Sequence, residues 1–137
     1  MRTGIRALLG LTTAAALVLG GSTTASAASD PGTWKWGSIY SADHKAYAKG
    51  KVVALQSGFE VSGTLNDSAG AGCGWVQLSY RDRFSTEWSG ANLLNCFNRP
   101  TTFRTSVGGI DLIRARVCEG TYQRPTACSN WRVVFSN

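Results

Sequence analysis

From residue 33 onward, apolar and polar side chains alternate with a period of two along most of the chain. Trp34, Trp36, Ser38 and Tyr40 take one side, and Lys35, Gly37 and Ile39 the other. A second strand is predicted within residues 46–55, around Val52, Val53 and Leu55. Phe59, Val61, Gly63 and Leu65 alternate with Glu60, Ser62 and Thr64. Between Cys73 and Phe84, the set Val76, Leu78 and Tyr80 is assigned to the core, and Trp75, Gln77, Ser79 and Arg81 to the opposite face. Phe103, Thr105 and Val107 alternate with Thr102, Arg104 and Ser106. This period belongs to a strand with one face buried. Residues 41–45, 56–58, 66–72 and 85–90 are turn-rich. Residues 91–97 read as a connector whose Leu93 and Leu94 plug one end of the core.

The most strongly patterned stretch is the last, residues 108–137. Ile113, Ala115 and Val117 alternate with Arg114, Arg116 and Cys118, and Trp131, Val133 and Phe135 alternate with Asn130, Arg132 and Val134. An antiparallel hairpin with Cys118 opposite Cys128 pairs Ala115 with Trp131 and Ile113 with Val133. It also sets Arg114 against Arg132, and directly facing like charges are destabilising. Gly108-Gly109 is expected to turn the preceding strand into this hairpin through an odd loop or bulge with a glycine at positive φ. That register pairs Phe103 with Ala115 and Arg104 with Arg114.

Seven or so short strands without a helical period predict an all-β fold, an antiparallel two-sheet sandwich, immunoglobulin-like in general architecture. A small, partly open β-barrel is the alternative. Residues 1–27 do not belong to it. Arg2 and Arg6 precede an uncharged apolar run from Ala7 to Leu19, and Ala25-Ser26-Ala27 is a small-x-small cleavage site, together a secretory signal peptide. Residues 28–137 then form one disulfide-stabilised domain, secreted and expected to be a monomer. No cysteine follows the apolar run and no second such run exists, so no membrane anchor is expected.

All four cysteines lie in the exported part, where an even number implies disulfides. Cys118 and Cys128 are nearest in sequence and have compatible strand parities, which leaves Cys73 with Cys96. No C-x-x-C pair is present and His44 is the only histidine, so no metal site and no cofactor are expected. The 14 basic residues less Arg2 and Arg6 leave 12 against 8 acidic ones, a net charge of +4. That balance, without a recognition motif, does not predict nucleic-acid binding. Every lysine falls between Lys35 and Lys51, and every arginine of the domain at Arg81 or later.

Candidate chemistry is sparse. His44 stands alone in a turn. Glu60, Glu87 and Glu119 are the carboxylates a glycosidase pair would need, but Glu60 falls on a polar strand face and the other two in loops, so surface charge is the expected role. Trp34, Trp36 and Trp131 have parities that suit a core, whereas Trp75 and Trp88 do not. Exposed together, Trp75 and Trp88 would make a platform for sugar rings or a protein partner; otherwise they cover a sheet or a disulfide. Arg104, Arg114, Arg116 and Arg132 would form a stripe on the hairpin's polar face, suited to carboxylates, sulfates or phosphates. Glu60 or Asp82 is the competing counter-charge. The 119–127 loop, braced by a disulfide, presents Tyr122 and Arg124, as a preorganised bait segment would.

Export, size, strand pattern and the RVCEG…ACSNW cassette resemble small secreted two-disulfide β-domain proteins of actinobacteria, a group of unassigned function. The composition, with Arg preferred over Lys and abundant Gly and Ala, suits a GC-rich bacterial genome. Chromoprotein apoproteins, amylase inhibitors and subtilisin inhibitors are similar secreted β proteins. Their cysteine spacing differs from the separations here, so no functional residue is transferred from them. The resulting expectation is a non-enzymatic binding protein that recognises an extracellular protein or polysaccharide. An inhibitor of a secreted protease or amylase, acting through the 119–127 loop, is the first alternative, and a small glycan-active hydrolase the second.

Overall fold

The computed structural model describes residues 32–68, 70 and 72–137. The expected signal peptide and its cleavage site lie outside the described residues. Nine strands occur among those described: β1 (Thr33–Tyr40), β2 (Ala46–Leu55), β3 (Gly58–Asp67), β4 (Cys73–Arg81), β5 (Ser89–Asn95), β6 (Thr101–Val107), β7 (Leu112–Gly120), β8 (Pro125–Cys128) and β9 (Arg132–Ser136). They form two antiparallel sheets that do not close into a barrel. The first sheet has the order β1-β2-β3-β6. The second has the order β5-β4-β7-β8, with β9 also paired to β7.

The sandwich follows from the alternation. Val52, Val61, Leu65 and Phe103 face inward from the first sheet, and Val76, Leu78, Ile113, Ala115 and Val117 from the second, in one buried cluster. Burial of such side chains stabilises a domain by about 1.5–3 kcal/mol each before chain entropy is counted. Asn95, itself buried, ties the layers together. Its Nδ2 donates to the Leu65 carbonyl (3.1 Å) and the Arg99 carbonyl (2.8 Å), and its Oδ1 accepts from the Phe97 N–H (2.9 Å). Both disulfides have the expected pairing, Cys73–Cys96 and Cys118–Cys128.

Several expectations are corrected. Residues 91–97 are not a mere connector: most of them belong to β5, which pairs with β4 through Leu94 opposite Trp75 and Leu93 opposite Val76. In β1 a register shift between Trp36 and Ile39 reverses the parity. Ile39 is therefore buried and Tyr40 exposed, the reverse of a regular strand. Trp36 is in the core, while Trp34 stays 38% exposed at the edge, edge-on to Phe135 at 4.7 Å. Gly108-Gly109 does not make a hairpin. β6 pairs with β3, Phe103 opposite Gly63 and Arg104 opposite Ser62, while β7 pairs with β4. Residues 108–111 thus cross between the sheets. Ile110 is buried in that crossing, and neither Gly108 nor Gly109 has a positive φ, which among the described glycines is found at Gly32, Gly58 and Gly70. A glycine-rich turn serves a hairpin and an arch equally well, so local residues could not separate the two.

The C-terminal arm is broken in two. Cys118 lies opposite Cys128 as expected, and Ser129 continues that register, its N–H donating to the Val117 carbonyl (2.9 Å) and its Oγ accepting from the Val117 N–H (3.1 Å). Beyond it Ala115 pairs with Arg132, Arg114 with Val133 and Ile113 with Phe135. The chain has gained a residue near Asn130-Trp131 and another at Val134, two bulges that restore Phe135 to the core. They also separate Arg114 from Arg132, whose Nη1 instead donates to the Ser38 carbonyl across the sandwich edge (3.2 Å). Val133, expected inside, is 63% exposed.

Candidate ligand-binding face

The outer face of the second sheet is where the structure concentrates its unusual side chains. β7 presents Arg114 and Arg116 there; β4 presents Gln77, Ser79 and Arg81 beside them. Ser79 and Gly90 lie side by side in β4 and β5, next to Arg114, and their small size leaves room for larger neighbours to lie across the sheet. Ser79 is buried although its parity points outward.

Trp88, just before β5, and Trp131, in the break between β8 and β9, supply those neighbours. The Arg114 guanidinium carbon sits 3.8 Å from the Trp88 ring centroid and 4.8 Å from that of Trp131. Arg81 lies 4.9 Å from Trp88, and Arg116 4.6 Å from Trp131. Arginine and tryptophan therefore alternate, Arg81, Trp88, Arg114, Trp131, Arg116. Each such contact is worth about 0.5–2 kcal/mol depending on its desolvation. Arg116 extends the row: its Nε–H donates to Gln77 Oε1 (2.7 Å), and Gln77 Nε2 donates to Asn92 Oδ1 (2.9 Å).

Stacking occupies the flat faces of the guanidinium groups and leaves their in-plane N–H donors available. Ion pairs among the described residues join Lys45 to Asp43, Arg83 to Asp111 and Arg104 to Glu60. None of them involves Arg81, Arg114 or Arg116. The Arg114 Nε is buried and has no acceptor among the described residues. The face is thus a row of fixed cations without carboxylate partners among the described residues.

The residues singled out from sequence are only partly brought together. Arg114, Arg116 and Trp88 meet in the row. Arg104 does not join them; it stands on the outer face of the other sheet, 3.6 Å from Glu60. Arg132 lies at the sandwich edge. Trp75 and Trp88 do not form one platform. Trp75 sits opposite Cys118 and its Nε1–H donates to the Thr121 carbonyl (3.1 Å), which ties it to the β7–β8 turn. Trp88 stacks on Arg81, six residues further along β4, about 20 Å away at strand rise. The 119–127 loop is mostly strand. Only residues 121–124 turn, closed by the Thr121 N–H donating to the Arg124 carbonyl (2.9 Å), so Tyr122 and Arg124 are exposed on a tight turn rather than an extended segment. Sequence reasoning missed Arg81 and Gln77, whose parity already matched this face, and it placed Trp131 in the core because the bulge beside it leaves no mark in the residue pattern.

The acids are dispersed as well. Glu60 pairs with Arg104, Glu87 is exposed, and Glu119, expected in a loop, is in β7 and only 7% exposed. Burial, with the Asp67 and Asp43 charges adding and Lys45 opposing, raises the Glu119 carboxyl above the usual glutamate range. A group whose pKa is raised on folding favours the folded state fully below its unfolded pKa, and that contribution is lost as pH rises through the folded value. Glu119→Gln is therefore expected to raise the melting temperature at pH 7 and to lose that advantage toward pH 4. Thermal melts at both pH values test this; an equal shift at each would assign the effect to packing instead. His44 is exposed in the 41–45 turn at φ 58°, its N–H donating to the Ser41 carbonyl.

Comparison of the chain with protein-family models, with curated proteins and with solved structures finds no match in any of the three.

Proposed function

We propose that the protein is a secreted, non-catalytic binding module that recognises an extracellular protein or polysaccharide through the outer face of its second sheet. The alternating row from Arg81 to Arg116 carries this reading. Five large side chains are held in register on a solvent-facing sheet, and three of them are cations with no carboxylate partner among the described residues. Two disulfides in a domain of this size fit an oxidising, extracellular setting. Neighbouring cations repel one another, and a row kept for packing alone would be expected to hold apolar or mixed-charge residues instead.

The test is retention of extracellular material on the immobilised domain, with polysaccharide and protein fractions assayed separately. Arg114→Ala is expected to reduce retention about tenfold or more, as loss of a central anchor does. Arg104→Ala, on the opposite sheet, is expected to leave it unchanged. Equal retention by both variants would show that this face is not the binding site.

A further inference from the structure

The chemistry of the row specifies the partner further, given that it is a binding face. Neutral sugars bind protein aromatics through the open faces of the rings, and here Trp88 and Trp131 each already have arginines stacked on them. What the face offers a ligand is guanidinium N–H edges. Arg114 and Arg116 stand two residues apart on β7, and Arg81 lies opposite Leu112, two residues further along. The three cations are therefore spaced by about 7 Å along one strand direction. Such a row matches a chain with repeated anionic groups rather than a single small anion.

Two features favour a glycan over an acidic polypeptide. Protein interfaces draw their affinity from clustered Trp, Tyr and Arg anchors; here the two tryptophans are committed to arginine, and the three arginines are strung along one strand direction. The row also runs into neutral amides. Gln77 is held by Arg116 and Asn92, and Asn92 lies exposed with its Nδ2 donors turned to no protein acceptor among the described residues. Amides next to guanidinium groups suit hydroxyls next to carboxylates or sulfates. The first sheet is also basic, but its Lys35, Lys49 and Lys51 carry point charges on flexible stems and its Arg104 is already paired with Glu60.

We propose that this face binds an anionic polysaccharide, one bearing carboxylate or sulfate groups, laid along β7 across Arg81, Arg114 and Arg116. This rests on the binding-module reading above. The experiment is titration of the whole domain with dextran sulfate, polygalacturonate, unmodified dextran and poly-glutamate, followed by calorimetry. Dextran sulfate and polygalacturonate are expected to bind, dextran not at all, and poly-glutamate about tenfold more weakly than either glycan. Affinity is expected to fall between about 50 and about 500 mM NaCl as screening grows. Because Arg114→Ala removes a half-buried group, the pair Arg81→Ala/Arg116→Ala, of which Arg81 is exposed and Arg116 half-buried, is measured beside it, with far-UV circular dichroism as the check on folding of both variants. The pair is expected to weaken glycan binding about tenfold or more, and Arg104→Ala to leave it unchanged. Equal affinity for poly-glutamate, binding of dextran, or no binding of either charged glycan would each overturn the inference. Should a protein or a neutral glycan be retained in an Arg114-dependent way, the binding face stands and only its assignment to anionic glycans falls.

Discussion

Replacing all four cysteines by alanine is expected to leave the domain unfolded at 37 °C, while either disulfide alone sustains a folded state. The loops closed by the bridges have sequence separations of 23 and 10. On the chain-entropy account, each bridge contributes about 3 kcal/mol by restricting the unfolded chain, the longer loop slightly more. Their joint contribution, about 6 kcal/mol, is comparable with the whole stability of a domain of roughly 100 residues, about 5–15 kcal/mol. Circular dichroism at 37 °C of the two double variants and the quadruple variant measures this directly. A quadruple variant with a cooperative melt well above 37 °C would show that the sandwich core suffices by itself. The bridges should also differ in access. Cys118 is fully buried, whereas Cys96 is exposed. Thiol exchange requires an approach to one of the two sulfurs, so mild reductant is expected to open Cys73–Cys96 first. Alkylation followed by mass spectrometry reads the order.

The second large effect is expected at Gly63. Gly50 and Gly63 face each other in β2 and β3, flanked by Trp36 on β1 and Phe103 on β6, one row across all four strands of the first sheet. The two aromatic rings lean over the glycines, with centroids 6.2 Å apart. A Cβ at Gly63 would overlap the Lys49 carbonyl oxygen and stand 2.7 Å from Phe103 Cζ and 2.9 Å from Gly50 Cα. Two of those atoms are backbone in a paired strand, so a side-chain rotation cannot relieve the overlap. Gly63→Ala is accordingly expected to destabilise by about 3 kcal/mol, at the upper end of overpacking effects. At about 4–8 °C per kcal/mol, the melting temperature should fall by more than about 10 °C. Gly37→Ala is the control: a Cβ there meets nothing within 4 Å, and its effect should stay within about 0.5 kcal/mol. A Gly63→Ala melt close to that of Gly37→Ala would mean that the paired strands can separate at little cost.

Parity made much of the candidate face legible in advance. Arg114 and Arg116 alternate with Ile113, Ala115 and Val117, so burial of the apolar set forces the arginines outward, and the same reasoning placed Gln77 and Arg81 on the outer side of β4. Trp131 shows where parity stops. Its pattern with Val133 and Phe135 matches a core strand, yet two bulges turn it onto the arginines while Phe135 remains inside. A bulge needs only one extra residue, and any residue can provide it. Arg104 shows a different limit. Its own strand was correctly read, but its neighbour was not, because residues 108–111 make an arch to the other sheet instead of a turn within one.

Local chemistry was therefore enough for most of the strands and most of their buried sides, for the all-β class and for the cysteine pairing, since each depends on a period of two or on closeness in sequence. Which strands become neighbours, where the register slips and which side chains stack depended on how the two apolar faces close over a shared core. Closure buries Ile39 and Phe135 at the expense of regular pairing in β1 and β9. The gain from burying such side chains, about 1.5–3 kcal/mol each, exceeds that from a typical ladder hydrogen bond, about 1 kcal/mol. The bulges that follow from that preference set Trp131 between Arg114 and Arg116, and so assembled the row on which the functional reading rests.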